Sequence, residues 1–176
     1  HRVSRLSVTV RLLCFISMSG TEKQLLAAEK LHTHTFMVHP SICLEMIYED
    51  EPFVDRFSRV AGHGFDTVEF WTWPDKDLEA IEARIQEHDL SISSMSAIRE
   101  TGTPPEELDT ALTDPNTKAE AVTDIERSIE VAARFDCSSL MVSVGPTQQH
   151  CTHQEMYDSV VSGLREVAPV AEAAGV

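Results

Sequence analysis

The sequence predicts an α/β protein built from successive parallel strand-then-helix units, and three observations carry that expectation. Short apolar runs alternate with stretches whose apolar residues recur every three or four positions. The alternation repeats four times between Met37 and Val176, an order that implies parallel strands joined by right-handed crossovers. The chain has 176 residues, 42% hydrophobic and 24% charged, enough for one domain with a sizeable core.

Each element has its own local reason. Ser41 to Ile47 reads as the first strand, and Pro52 then stands at a first-turn position of a helix carrying Phe53, Val54, Phe57 and Val60 on one face. Gly62 and Gly64 stop that helix. Thr67 to Trp71 is the second strand, followed by a Pro74-Asp75 turn and a helix with Leu78, Ile81 and Ile85 inward. Leu90 to Ala97 forms the third strand and a Pro/Thr-rich loop runs to about Asn116. The next helix, ending at Phe135, aligns Val122, Ile125, Ile129 and Ala133. Ser139 to Val144 is the fourth strand. A helix from Glu155 to about Ala174 then turns Met156, Val160, Leu164 and Val167 inward, with Pro169 expected to bend it. Ala173-Ala174-Gly175-Val176 resembles the start of another helix-to-strand junction, so a fifth strand is expected to follow. Neither GxGxxG after a strand nor GxxxxGK[ST] occurs, which removes the main support for a nucleotide-binding, doubly wound sheet.

Charge divides the chain. Residues 1–36 carry five basic side chains (Arg2, Arg5, Arg11, Lys23, Lys30) and two acidic ones (Glu22, Glu29), whereas 37–176 carry nine basic and 27 acidic. The step from +3 to −18 marks residues 1–36 as a poorly ordered extension and 37–176 as the folded domain. Met18 and Met37 are both possible starts. Arg11 interrupts the apolar run Leu6 to Ile16, which is a poor export signal and too short for a membrane span. The net charge of −15 repels phosphate backbones and anionic lipids, so neither nucleic acid nor membrane is an expected partner. Only Lys76 and Lys118 are lysines after residue 36, a Lys-poor acidic surface suited to a salt-loaded cytoplasm. Cys14, Cys43, Cys137 and Cys151 form no CxxC and no disulfide framework, which fits a reducing, cytoplasmic setting.

Four segments together, Ser41 to Met46, Phe53 to Phe57, Gly64-Phe65-Asp66-Thr67-Val68-Glu69-Phe70-Trp71 and Asp77 to Ile81, resemble the opening units of the xylose isomerase-like TIM barrels. Within that superfamily they are most similar to hydroxypyruvate isomerases, in which a Gly-Phe-x-x-Val-Glu-Phe second strand is typical. The resemblance covers about Pro40 to Val176 and implies the first half, about four of eight βα units, of a TIM barrel truncated at its carboxyl end. It also implies a divalent metal, Mg²⁺ or Mn²⁺, in the full-length enzyme, held by two glutamates of the fifth and eighth strands with an Asp and a His between them. Those positions fall beyond Val176, so no catalytic or metal residue is assigned here and this chain alone is expected to be inactive. Related isomerases often place a His on the third strand, where this chain has Ser93-Ser94-Met95-Ser96.

Strand alternation adds candidates for substrate binding. If Val68 and Phe70 pack on helices, Glu69 and Trp71 face the barrel interior, and Cys43 and Glu45 do so from the first strand. Two carboxylates confined there could hold sugar hydroxyls or a cation, or simply pair with other residues. Trp71 and Trp73, at the carboxyl end of the second strand, could wall a carbon chain or cover the core. His150-Cys151-Thr152-His153 has ligand-type side chains but no partner at zinc-site spacing, and reads as a solvated loop with a helix cap; His32, His34 and His39 are similar in kind. The leading function is therefore a sugar or hydroxy-keto-acid isomerase interconverting hydroxypyruvate and tartronate semialdehyde through an enediol. Ketose epimerases, inosose dehydratases and a non-catalytic half barrel are alternatives, with the endonuclease branch disfavoured by charge. Open sheet edges predict self-association.

Overall fold

The computed structural model describes residues 39–71, 73–97 and 111–176. The expected extension, residues 1–36, lies outside them, as does most of the Pro/Thr-rich loop. Four strands, β1 (Ile42–Cys43), β2 (Thr67–Phe70), β3 (Ser91–Ala97) and β4 (Leu140–Val142), form one parallel sheet in the order β1-β2-β3-β4. Helices α1 (Phe53–Gly62), α2 (Leu78–His88), α3 (Lys118–Arg134) and α4 (His153–Ala174) follow the strands in turn. Sequential order with every strand parallel is the arrangement of consecutive units of a βα barrel.

One side of the sheet packs against helices. Leu44, Phe57, Val60, Val68, Phe70 and Ile81 are fully buried there, each large side chain contributing about 1.5–3 kcal/mol of burial. Phe53, Phe57, Phe70 and Phe135 meet edge to face, with centroids 5.6 to 6.1 Å apart. A second cluster, Leu112, Val122, Ile125, Ile129 and Val167, joins α3 to α4.

Several expectations are corrected in detail. β1 ends at Cys43 because Leu44–Met46 winds into a 3-10 turn, and Pro52 caps α1 from just outside it. In α3 the fully buried alanine is Ala132, with Ala133 half-buried. In α4 the inward row is Ser159, Gly163 and Val167, while Leu164 is 38% exposed. The absence of a side chain at Gly163 gives room to the loop before α3, since a Cβ there would lie 2.6 Å from Leu112 Cδ2, and 3.4 and 3.5 Å from Lys118 and Val122 of α3. Pro169 lies inside α4, which continues past it to Ala174. Among the described residues no helix is long and apolar enough to cross a membrane, and Cys43, Cys137 and Cys151 are free thiols.

Candidate functional site

β2 alternates as its sequence requires. Val68 and Phe70 enter the helix-side core, and Glu69 takes the opposite, barrel-interior side at 6% exposure. A buried carboxylate needs donors. Ser94 Oγ donates to Glu69 Oε2 at 2.9 Å from β3, and the Cys43 thiol donates to the same carboxylate from β1, where Cys43 is the register partner of Glu69. Burial pushes the Cys43 thiol up to about 12, with the Glu69 and Glu45 charges adding to the shift and the Glu45 backbone N–H opposing it. Cys43 is thus a neutral hydrogen-bond donor rather than a nucleophile.

The serines of β3 occupy this wall through a bulge. The register runs Val68 to Ile92 but Glu69 to Ser94, so Ser93 is the extra residue. Ile92 and Met95, three positions apart, consequently both enter the helix-side core, at 5% and 1% exposure, where strict alternation would put them on opposite faces. Ser93 and Ser41 approach through their hydroxyls at 2.6 Å, and Ser93 also donates to the Val68 carbonyl. The interior wall therefore presents a carboxylate, a thiol and a row of hydroxyls.

Glu45 has a different partner from Glu69. The 3-10 turn ends the strand alternation before it, and Glu45 Oε1 lies 3.0 Å from Lys76 Nζ, whose side chain is 8% exposed and stands 4.5 Å from the Phe53 ring centroid. The contact is an ion pair without directional hydrogen bonding: both Glu45 oxygens are buried with no hydrogen-bond donor among the described residues. Glu45 and Glu69 are thus engaged by different groups. Trp71 is half-buried at the carboxyl end of β2, its carbonyl accepting from the Ser96 N–H. Trp73 serves the core: its Nε1 donates to Ser128 Oγ of α3 at 3.2 Å.

A second grouping lies at the loops preceding α3 and α4. Ligand atoms of Asp114, His150 and Cys151 lie within 4.8 Å of one another, with His150 Nε2 3.3 Å from Asp114 Oδ1. The Asn116 backbone N–H, and secondarily His150, hold the Asp114 carboxyl below its usual range. Burial, then the Asp114 and Glu155 charges, raise the Cys151 thiol. Thr152 caps α4 in a reciprocal box with Glu155, as the loop-and-cap reading of this stretch requires. Sequence reasoning missed Asp114, 36 residues before His150; its only local signal is the Asp-Pro-Asn turn.

The metal set implied by the resemblance does not fit these residues. Glu69 and Glu45 are committed to Ser94, Cys43 and Lys76, and no second glutamate joins an Asp and a His on the interior wall among the described residues.

Residues 57–176, well over half of the chain, match the family described as Xylose isomerase-like TIM barrel. No curated protein sequence is significantly similar to the chain. Among solved structures, it is similar to an AP endonuclease, family 2, from Brucella melitensis at 20% identity and TM-score 0.69, covering 77% of this chain and 52% of that one. It is also similar to a 3-keto-D-glucoside 4-epimerase from E. coli, at 18% identity and TM-score 0.60, with coverage of 77% and 52%. A sugar phosphate isomerase/epimerase from Parabacteroides distasonis gives 12% identity and TM-score 0.55, with coverage of 77% and 48%. These likenesses are of fold, and the chain spans about half the length of each structure. The sequential parallel sheet, the polar inner wall and the family match over α1 to α4 lead to one assignment: the chain belongs to the xylose isomerase-like TIM barrel family.

Proposed function

We propose that these four units form half of the barrel of a carbohydrate isomerase or epimerase acting on a sugar or small hydroxy-keto acid, with hydroxypyruvate as the leading substrate. The observation that carries the reading is the interior wall: Glu69, held by Ser94 and Cys43, beside the hydroxyls of Ser41 and Ser93. A fixed acceptor among rotatable hydroxyls suits a substrate dense in hydroxyl groups. Trp71, at the end of β2, is proposed as an apolar flank for its carbons. The role of this half is binding and orientation. The proton-transferring glutamates implied by the resemblance belong to strands outside these four, and so does the Mg²⁺ or Mn²⁺ site.

Fold likeness to an AP endonuclease raises abasic DNA as a second reading, but a net charge of −15 opposes a polyphosphate ligand. Kinetics decide between them. The completed protein, supplied with Mg²⁺ or Mn²⁺, is expected to turn over hydroxypyruvate or one of a small set of ketoses, and the 176-residue chain alone is expected to be inactive. Glu69→Gln should lower kcat/KM by about 5- to 150-fold, corresponding to roughly 1–3 kcal/mol for a buried group left unpaired. Incision of abasic DNA without isomerase turnover would overturn the proposal, and an unaffected Glu69→Gln enzyme would make that carboxylate structural.

A further inference from the structure

We propose that Asp114, His150 and Cys151, on the loops that follow β3 and β4, form a site for one Zn²⁺ ion. Three different donor types arrive from two loops far apart in sequence, and their ligand atoms all lie within 4.8 Å of one another. A sulfur, an imidazole nitrogen and a carboxylate oxygen are the donor set that zinc accepts, whereas Mg²⁺ and Ca²⁺ favour oxygen alone. The spacing is apt as well. Zinc–oxygen and zinc–nitrogen bonds of about 2.0 Å at a tetrahedral angle place the two donors about 3.3 Å apart. His150 Nε2 and Asp114 Oδ1 are 3.3 Å apart, so an ion could lie between them with little rearrangement.

The juxtaposition is built into the fold. Thr113 N–H donates to the Val144 carbonyl at 3.0 Å, and Thr113 Oγ1 donates to the Pro146 carbonyl at 2.7 Å. These bonds lock the Asp114 loop to the loop that leads to His150. The Asn116 N–H orients the Asp114 carboxylate at 2.9 Å, and the capping box at Thr152 fixes the chain directly after Cys151. Supporting bonds of this kind orient metal ligands. Asp114 and Cys151 are half-buried and His150 is exposed, which leaves the fourth tetrahedral position to a solvent molecule.

The full 176-residue chain should be titrated with Co²⁺ as a spectroscopic substitute and then with Zn²⁺. One equivalent of Co²⁺ is expected to give tetrahedral d–d absorption with a thiolate charge-transfer band, both abolished by Zn²⁺. Cys151→Ser should remove the charge-transfer band, and Asp114→Ala should weaken binding about tenfold or more. Zn²⁺ should raise the melting temperature of the parent and leave that of Cys151→Ser unchanged, a readout independent of the absorption. A variant with His32, His34 and His39 replaced by Asn should bind like the parent. The assignment fails if the thiolate band persists in Cys151→Ser, if Asp114→Ala folds and binds undiminished, or if the histidine variant loses the site.

Discussion

Glu69 keeps its carboxylate at 6% exposure because both neighbouring strands contribute a donor, Cys43 from one side and Ser94 from the other. The arrangement has a pH signature. The Cys43 thiol, ordinarily at 9.0, is pushed up to about 12 by burial and by the adjacent carboxylates, so the unfolded chain releases this proton before the folded one does. Its stabilising contribution is therefore complete below pH 9.0 and is lost as pH rises toward about 12. Urea midpoints at about pH 8 and about pH 10.5 should fall further in the parent than in Cys43→Ser. Equal falls would show that the thiol is not held protonated by the fold. Residue-scale legibility was uneven: the side taken by Glu69 followed from alternation along β2, whereas the pairing of Glu45 with Lys76 did not, because a 3-10 turn begins one residue before Glu45.

At the scale of elements, the bulge in β3 and the loop after β4 do the most to shape the sites. The bulge sends both Ile92 and Met95 into the core and leaves Ser93 and Ser94 for the interior wall. The loop after β4 turns at Gly145, whose φ is +104° and where a Cβ would lie 2.3 Å from Ala111 Cβ. Only glycine satisfies both the left-handed backbone and the close approach. Gly145→Ala should destabilise the chain by about 1–3 kcal/mol, from strain at that φ with a further contribution from displacing Ala111. A lowered urea midpoint with an unchanged slope is the expected measurement; an unchanged midpoint would show that the two loops can separate freely. In α4 the buried row is Ser159, Gly163 and Val167, and packing of Gly163 against Leu112 of the loop before α3 takes the place of burying Leu164.

For the whole molecule, the open sheet matters most. Among the described residues β1 and β4 each have a free edge, and Met141 of β4 is 45% exposed. Unpaired parallel edges beside apolar surface favour association with another chain. The charge of −15 opposes that association at low ionic strength, and salt screens it. Sedimentation of the 176-residue chain should therefore show species larger than a monomer, increasingly so as salt is raised. A compact monomer at every salt concentration would show that the edges are covered.

The order of strands and helices, the polarity of β2 and the identity of most core residues were legible in the amino-acid order, because apolar periodicity is a local property and parallel βα units repeat it. Val68, Glu69 and Phe70 fell where alternation put them. The course of β3 was not legible, since skipping Ser93 depends on pairing with β2 rather than on any feature of Ser93 and Ser94 themselves. Nor was the grouping of Asp114 with His150 and Cys151: Asp114 lies at least 36 residues before them and meets them because the Thr113 bonds to Val144 and Pro146 close two loops on each other. Local periodicity decides which residues can be buried; which polar groups meet is decided by long-range backbone pairing, and that exists only in the folded chain.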